Sequence, residues 1–105
     1  QRHLLSLGSL RAEERLAAFL LNLSQRLAAR GYQNNEFDLR MSRVEIGSYL
    51  GIQIETVSRM LSRFAESGLI QIKQRHIKLI DMDGLYELAS IPNPDRAVQI
   101  KPINA

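Results

Sequence analysis

The sequence predicts a mainly α-helical domain with a small β-sheet (α+β), arranged as a winged helix-turn-helix. Three observations predict it. Residues 41–68, MSRVEIGSYLGIQIETVSRMLSRFAESG, read as two short helices joined by a tight turn. A long stretch with apolar residues at helical spacing precedes them, and two short β-branched runs follow. Helix, strand, helix-turn-helix, hairpin is the order of a winged helix, with the hairpin as the wing.

Taken from the N-terminus, Leu4, Leu5 and Leu7 form a run that Gly8 and Ser9 interrupt. Ser9 is the expected N-cap of a helix reaching about Arg30, with Glu13 and Glu14 in or near a first turn where the helix dipole favours them. Leu16, Leu20, Leu23 and Leu27 recur at helical spacing with Ala12 and Phe19 on their flanks, which marks a core-packing helix. Arg15, Arg26 and Arg30 lie off that stripe, and Gly31 suits the position just past a helix end. Residues 32–36 are a polar loop. Residues 37–41 alternate apolar and polar, as a short half-buried strand does.

Ser42 and Glu45 match the S-x-x-E capping box, so a helix is expected from Arg43. Val44, Gly47 and Leu50 face the same way, and Gly47 lets another helix approach closely because it has no side chain. Gly51 sits where the chain turns and can take positive φ at little cost. The second helix is expected over residues 54–67, buried through Ile54, Val57, Leu61 and Phe64 and ended by Gly68. Gln53, its expected N-cap, is a weak one. Residues 69–73 and 77–80 read as a hairpin around Gln74, Arg75 and His76, without the Asn-Gly or Asp-Gly that favours one. Asp81 or Asp83 can cap a last short helix over residues 84–90, which Pro92 and Pro94 end. Residues 92–105 lack periodicity and are expected to form a flexible tail.

A chain of 105 residues is one domain with a modest core. The net charge is +3, but residues 40–78 hold seven Lys or Arg against three acids, so the rest of the chain is slightly acidic. That concentration fits a nucleic-acid footprint. There is no cysteine, which excludes disulfides, thiol nucleophiles and cysteine-held zinc or iron–sulfur groups within this chain, and fits a reducing, cytoplasmic setting. No run approaches the roughly 18 apolar residues of a membrane span, and no secretory signal is present. The first residue is Gln1 rather than Met, so a piece of something longer is expected.

Glu55, Ser58 and Arg59 stand at i, i+3 and i+4, on one face near the start of the second helix. In a helix-turn-helix, that is the face that meets base edges. Arginine fits guanine O6 and N7, and a carboxylate can accept from cytosine N4. An intrahelical Glu55–Arg59 ion pair is the plainer alternative, and the two are compatible. Arg40, Arg43, Ser48, Ser62 and Arg63 are candidates for backbone phosphates, as are Lys73, Arg75, His76 and Lys78 on or near the wing. Solvated surface is the alternative for each alone. His3 and His76 have no partners at metal-ligand spacing, and no nucleophile elbow or phosphate-binding glycine loop is present, so neither a metal site nor an enzyme is expected.

Residues 39–81, LRMSRVEIGSYLGIQIETVSRMLSRFAESGLIQIKQRHIKLID, closely resemble the DNA-binding domain of the Crp/Fnr family of bacterial transcription regulators. AEERLAAFLLNLSQRLAARGY upstream looks like the helix that joins this domain to the family's dimerisation helix. E-T-V-S-R resembles the Fnr and Anr branch, since the Crp branch has glycine where Ser58 stands. The resemblance implies a homodimer on inverted-repeat DNA with TTGAT half-sites. It would put Arg59 on guanine, Glu55 on the cytosine side and Ser58 on a thymine that separates Fnr sites from Crp sites. It implies an RNA polymerase α-subunit contact through the loop after the first helix, at Arg30, Gln33 and Asn34. It divides the chain into the end of a dimerisation helix or linker (1–8), the DNA-binding domain (9–91) and the tail. Family members carry a sensory domain, and Fnr proteins hold a [4Fe–4S] cluster there through cysteines that this chain lacks. The alternatives are a Crp-like regulator responding to a small ligand and a winged helix that docks protein only.

Overall fold

The computed structural model describes the backbone of residues 2–94 and the side chains of residues 11–94. Its elements run α1 (Arg2–Ala29), β1 (Glu36–Asp38), α2 (Arg43–Leu50), α3 (Ile54–Glu66), β2 (Ile70–Lys73), β3 (His76–Leu79) and α4 (Met82–Ala89). The expected architecture is present. Most of the expected tail lies outside the described residues.

The first helix departs from expectation at its start. α1 passes through Gly8 and Ser9 without a break, so Ser9 is not an N-cap and Glu13 and Glu14 are not in a first turn. A single interior glycine costs a helix only about 1 kcal/mol relative to alanine, too little by itself to end one. The two glutamates bond other elements instead: Glu13 pairs with Arg63 of α3 at 3.5 Å, and Glu14 accepts from the Ser90 hydroxyl at 2.8 Å. The buried arc of α1 is also wider than the leucine stripe. Ala12, Leu16, Ala17, Phe19, Leu20, Leu21 and Ser24 are buried, whereas Leu23 and Leu27 are only half-buried. α4 packs along α1 and accounts for the extra width, with Gln25 donating to the Tyr86 hydroxyl at 2.9 Å.

α1 ends as glycine directs. Gly31 adopts φ +82°, its N–H bonds Ala28 O at 3.0 Å, and the Tyr32 N–H bonds Leu27 O at 2.9 Å. This is a Schellman motif, and it recurs after α3, where Gly68 (φ +79°) donates to Ala65 O and Leu69 to Phe64 O. At α4, Asp81 is the cap: its carboxylate accepts from the Gly84 N–H, and the helix begins two residues earlier than expected.

The sheet has strand order β1-β3-β2, antiparallel throughout. The wing is therefore not a bare hairpin, because β1 pairs with its second strand. The register sets Phe37 opposite Ile77 and Ile77 opposite Ile72, so these side chains share the inner face. Ile77, Ile70 and Leu79 are fully buried against Leu39, Ile46, Val57, Met60, Leu61, Phe64 and the α1 face. The outer face carries two cross-strand rows, Glu36–Lys78–Gln71 and Asp38–His76–Lys73.

Candidate nucleic-acid interface

α2 begins where the capping box places it. The Ser42 hydroxyl accepts from the Glu45 N–H at 3.1 Å, and the Glu45 carboxylate accepts from the Ser42 N–H at 2.8 Å. The shared face of Val44, Gly47 and Leu50 is packed only in part: Gly47 is buried and Leu50 lies against the core, but Val44 does not join them. Ile46 is fully buried, while Val44 is 57% exposed. An eight-residue helix spans barely two turns, so two apolar registers fit its sequence and tertiary packing chooses between them. Gly47 is buried with its back to the turn, and a Cβ there would collide with the Ile52 carbonyl oxygen. The close neighbour is thus the backbone of the turn rather than another helix. Gly51 turns the chain at φ +73°, and the Ile52 N–H returns to Gly47 O at 2.8 Å.

That turn launches α3. Gln53 makes no side-chain cap, as expected, and Val57, Met60, Leu61 and Phe64 hold the helix by burial. Ile54 does not belong to the buried stripe: it is 43% exposed. Helical Cβ atoms tilt towards the N-terminus, so the first residue of α3 reaches past the core into an open groove shared with Val44, Ser48 and Gln53.

On the opposite side of α3, Glu55 and Arg59 are exposed and Ser58 is half-exposed. All three sit together on the face the sequence assigned to them. Among the described residues no Glu55–Arg59 ion pair forms within 4.0 Å, so the intrahelical alternative is absent and both side chains are open to a ligand. Arg40, Ser48, Ser62, Lys73 and Arg75 are exposed, and Lys78 is half-exposed on the outer sheet face. Three expected phosphate contacts have protein partners. Arg63 is shared with Glu13. Arg43 donates to the Gln74 carbonyl at 3.0 Å. His76, expected in the connecting turn, lies in β3 between two acids, its Nδ1 2.8 Å from Asp38 and its Nε2 2.6 Å from Glu36.

The hydrogen bond to Glu36, then the one to Asp38, holds the His76 ring above its ordinary pKa, and the same His76 bond draws the Glu36 carboxyl below its own. The two carboxylates meet opposite ring nitrogens and do not converge on one point, so this trio is an ion-pair bridge from β1 to β3 rather than a metal cradle. Spacing in sequence could not reveal it, because the strand register creates it. Arg30, Gln33 and Asn34 are exposed on the loop after α1, with Gln33 donating to the Asn35 side chain at 3.2 Å. Among the described residues no helix is long and apolar enough to cross a membrane.

A helix-turn-helix whose second helix shows a polar, open face beside a β wing defines the class of winged-helix DNA-binding domains. The model of the Crp-like helix-turn-helix domain matches residues 14–88, and the chain belongs to the Crp/Fnr family. It is 62% identical over 85 residues to the transcriptional regulatory protein btr of Bordetella pertussis, covering 81% of this chain and 35% of that protein. It is 48% identical over 89 residues to the fumarate and nitrate reduction regulatory protein of Escherichia coli K12, covering 85% of this chain and 36% of that one. Among solved structures it is similar to FixK2 from Bradyrhizobium japonicum, with TM-score 0.68, 37% identity, and 78% and 40% of the two chains covered. The chain thus spans about a third of the length of these curated relatives. It is a DNA-binding regulator domain, not an enzyme.

Proposed function

We propose that this domain reads TTGAT-like inverted-repeat half-sites, with α3 in the major groove and Glu55, Ser58 and Arg59 on base edges. The observation that carries the reading is the division of α3. Val57, Met60, Leu61 and Phe64 face the core, while Glu55, Ser58 and Arg59 are left open and unpaired with each other. Arg59 supplies the bidentate guanidinium for guanine, Glu55 the acceptor for cytosine, and Ser58 a short polar group for the thymine between. Arg40, Ser48, Ser62, Lys73, Arg75 and Lys78 supply phosphate contacts that set position rather than sequence. In a homodimer, two copies of α3 would stand about 34 Å apart, one turn of DNA.

The rest of the reading belongs to the longer, cytoplasmic protein of which this domain would be the DNA-binding part. Arg30, Gln33 and Asn34 would meet the RNA polymerase α subunit. An iron–sulfur cluster does not fit these residues, since no thiolate is available, and any such sensor would lie elsewhere. Random-site selection on a dimeric form tests the reading. TTGAT inverted repeats are the expected product. Enrichment of TGTGA would replace it with a Crp-like specificity, and no enrichment would leave a protein-docking module.

A further inference from the structure

The wing turn is built from residues poorly suited to it. Gln74 and Arg75 form a two-residue hairpin loop, and Gln74 sits at φ +58°, a conformation that favours glycine or asparagine. Nothing in the Gln-Arg pair explains why the turn holds. The stretch from just after β1 to the first residue of α2 does. The Leu39 N–H donates to the Arg75 carbonyl at 2.7 Å, and the Arg43 guanidinium donates to the Gln74 carbonyl at 3.0 Å. Both carbonyls of the turn are therefore taken by the segment that leads into the helix-turn-helix. Arg43 is the first residue of α2, fixed by the Ser42–Glu45 capping box, so its side chain springs from a rigid point. The turn it grips carries the exposed Arg75 and flanks the exposed Lys73.

We infer that Arg43 is a positioning residue for the wing. Its bond to Gln74 O sets the turn against α2, so that Arg75 and Lys73 reach phosphates in register with α3. The guanidinium keeps further N–H groups for a phosphate of its own, and one side chain then ties wing, helix-turn-helix and DNA backbone together. The strut is a property of the free protein. Its effect on DNA rests on the reading above.

Two measurements on the 105-residue chain separate these layers. The first is amide hydrogen exchange without DNA. Arg43→Ala should speed exchange at Lys73 and His76, which pair across the turn, and at Leu39, whose N–H bonds the Arg75 carbonyl, at least tenfold while leaving Val57, Leu61 and Phe64 unchanged, the latter showing that the domain is folded. Wing exchange within twofold of the wild type would overturn the strut. The second is a double-mutant cycle read as the salt dependence of binding to a half-site duplex. Arg75→Ala alone should lower the slope of log K against log salt by about one unit, as for one lost phosphate. Arg43→Ala should lower it by two or more, and Arg75→Ala added to Arg43→Ala should change little further. Strict additivity would overturn the coupling. If the wild-type chain binds no duplex at all, the DNA reading fails, while the exchange result still decides the strut.

Discussion

Alanine at position 47 sets two known effects against each other. Replacing an interior helical glycine by alanine stabilises a helix by about 0.8–1.0 kcal/mol. Here the new Cβ would lie inside contact distance of the Ile52 carbonyl oxygen, with Ile52 C at 3.5 Å and Val57 Cγ2 at 3.6 Å behind it. The obstacle is backbone, so no side-chain rotation relieves it. The turn must move, which strains the bond from Ile52 N–H to Gly47 O and shifts the start of α3. Overpacking of this kind costs about 1–3 kcal/mol, and a weakened hydrogen bond about 0.5–1.5 kcal/mol more. After the propensity gain, Gly47→Ala should destabilise by about 2 kcal/mol, lowering Tm by roughly 8–16 °C for a domain of this size. Circular dichroism melts check it, with Ser48→Ala as the control. Ser48 is exposed on the same helix, so alanine there should be neutral or slightly stabilising. A Gly47→Ala melt at or above wild type would refute the claim that the turn backbone needs this glycine.

Arg59→Ala should cost about 1–3 kcal/mol on a cognate half-site and much less on scrambled DNA, whereas Lys78→Ala should weaken both alike and lower the salt slope. Fluorescence anisotropy reads both, and equal losses for Arg59→Ala would remove it from base reading. Ser42→Ala should cost about 1 kcal/mol in urea unfolding by opening the capping box, and an unchanged midpoint would count against it. The His76 bridge should make stability pH-dependent. Its ring is raised above 6.5 when folded, so its contribution is complete below 6.5 and lost as pH rises through the raised value. The lowered Glu36 adds a contribution present above 4.5 and lost as pH falls through its folded value, so the bridge is strongest between 4.5 and 6.5. Melts of His76→Ala from pH 5.5 to 9 should be flatter than wild type, and parallel curves would show that the bridge contributes nothing.

Much of the local structure was legible because its causes are local. A capping box needs two residues three apart, and Ser42 with Glu45 set the start of α2 to the residue. Gly31, Gly51 and Gly68 each took the positive φ that ends a helix. The outward face of α3 followed from periodicity: once Val57, Leu61 and Phe64 are buried, Glu55, Ser58 and Arg59 must point away. Recognising the Fnr-type pattern required the resemblance, because physics alone does not say why serine rather than glycine stands between Glu55 and Arg59.

What failed depended on distant neighbours. Gly8 and Ser9 looked like a boundary, but a cap signal acts only where the chain leaves the helix, and it does not leave there. Ile46 and Val44 are equally apolar, and only the packing of α2 onto the core buries one and exposes the other. Arg43, Arg63 and His76 looked alike as free cations. The fold gives the first to the wing turn, the second to α1 and the third to β1, across separations of 31 to 50 residues. The sequence by itself determined the order of the elements, the start of α2, the glycine-marked ends of α1, α2 and α3 and the face α3 turns outward, since these follow from interactions within a few residues. Only the tertiary structure decided which cations are tied to other elements and which stay unpaired, because pairing across elements depends on register and packing that no local spacing encodes.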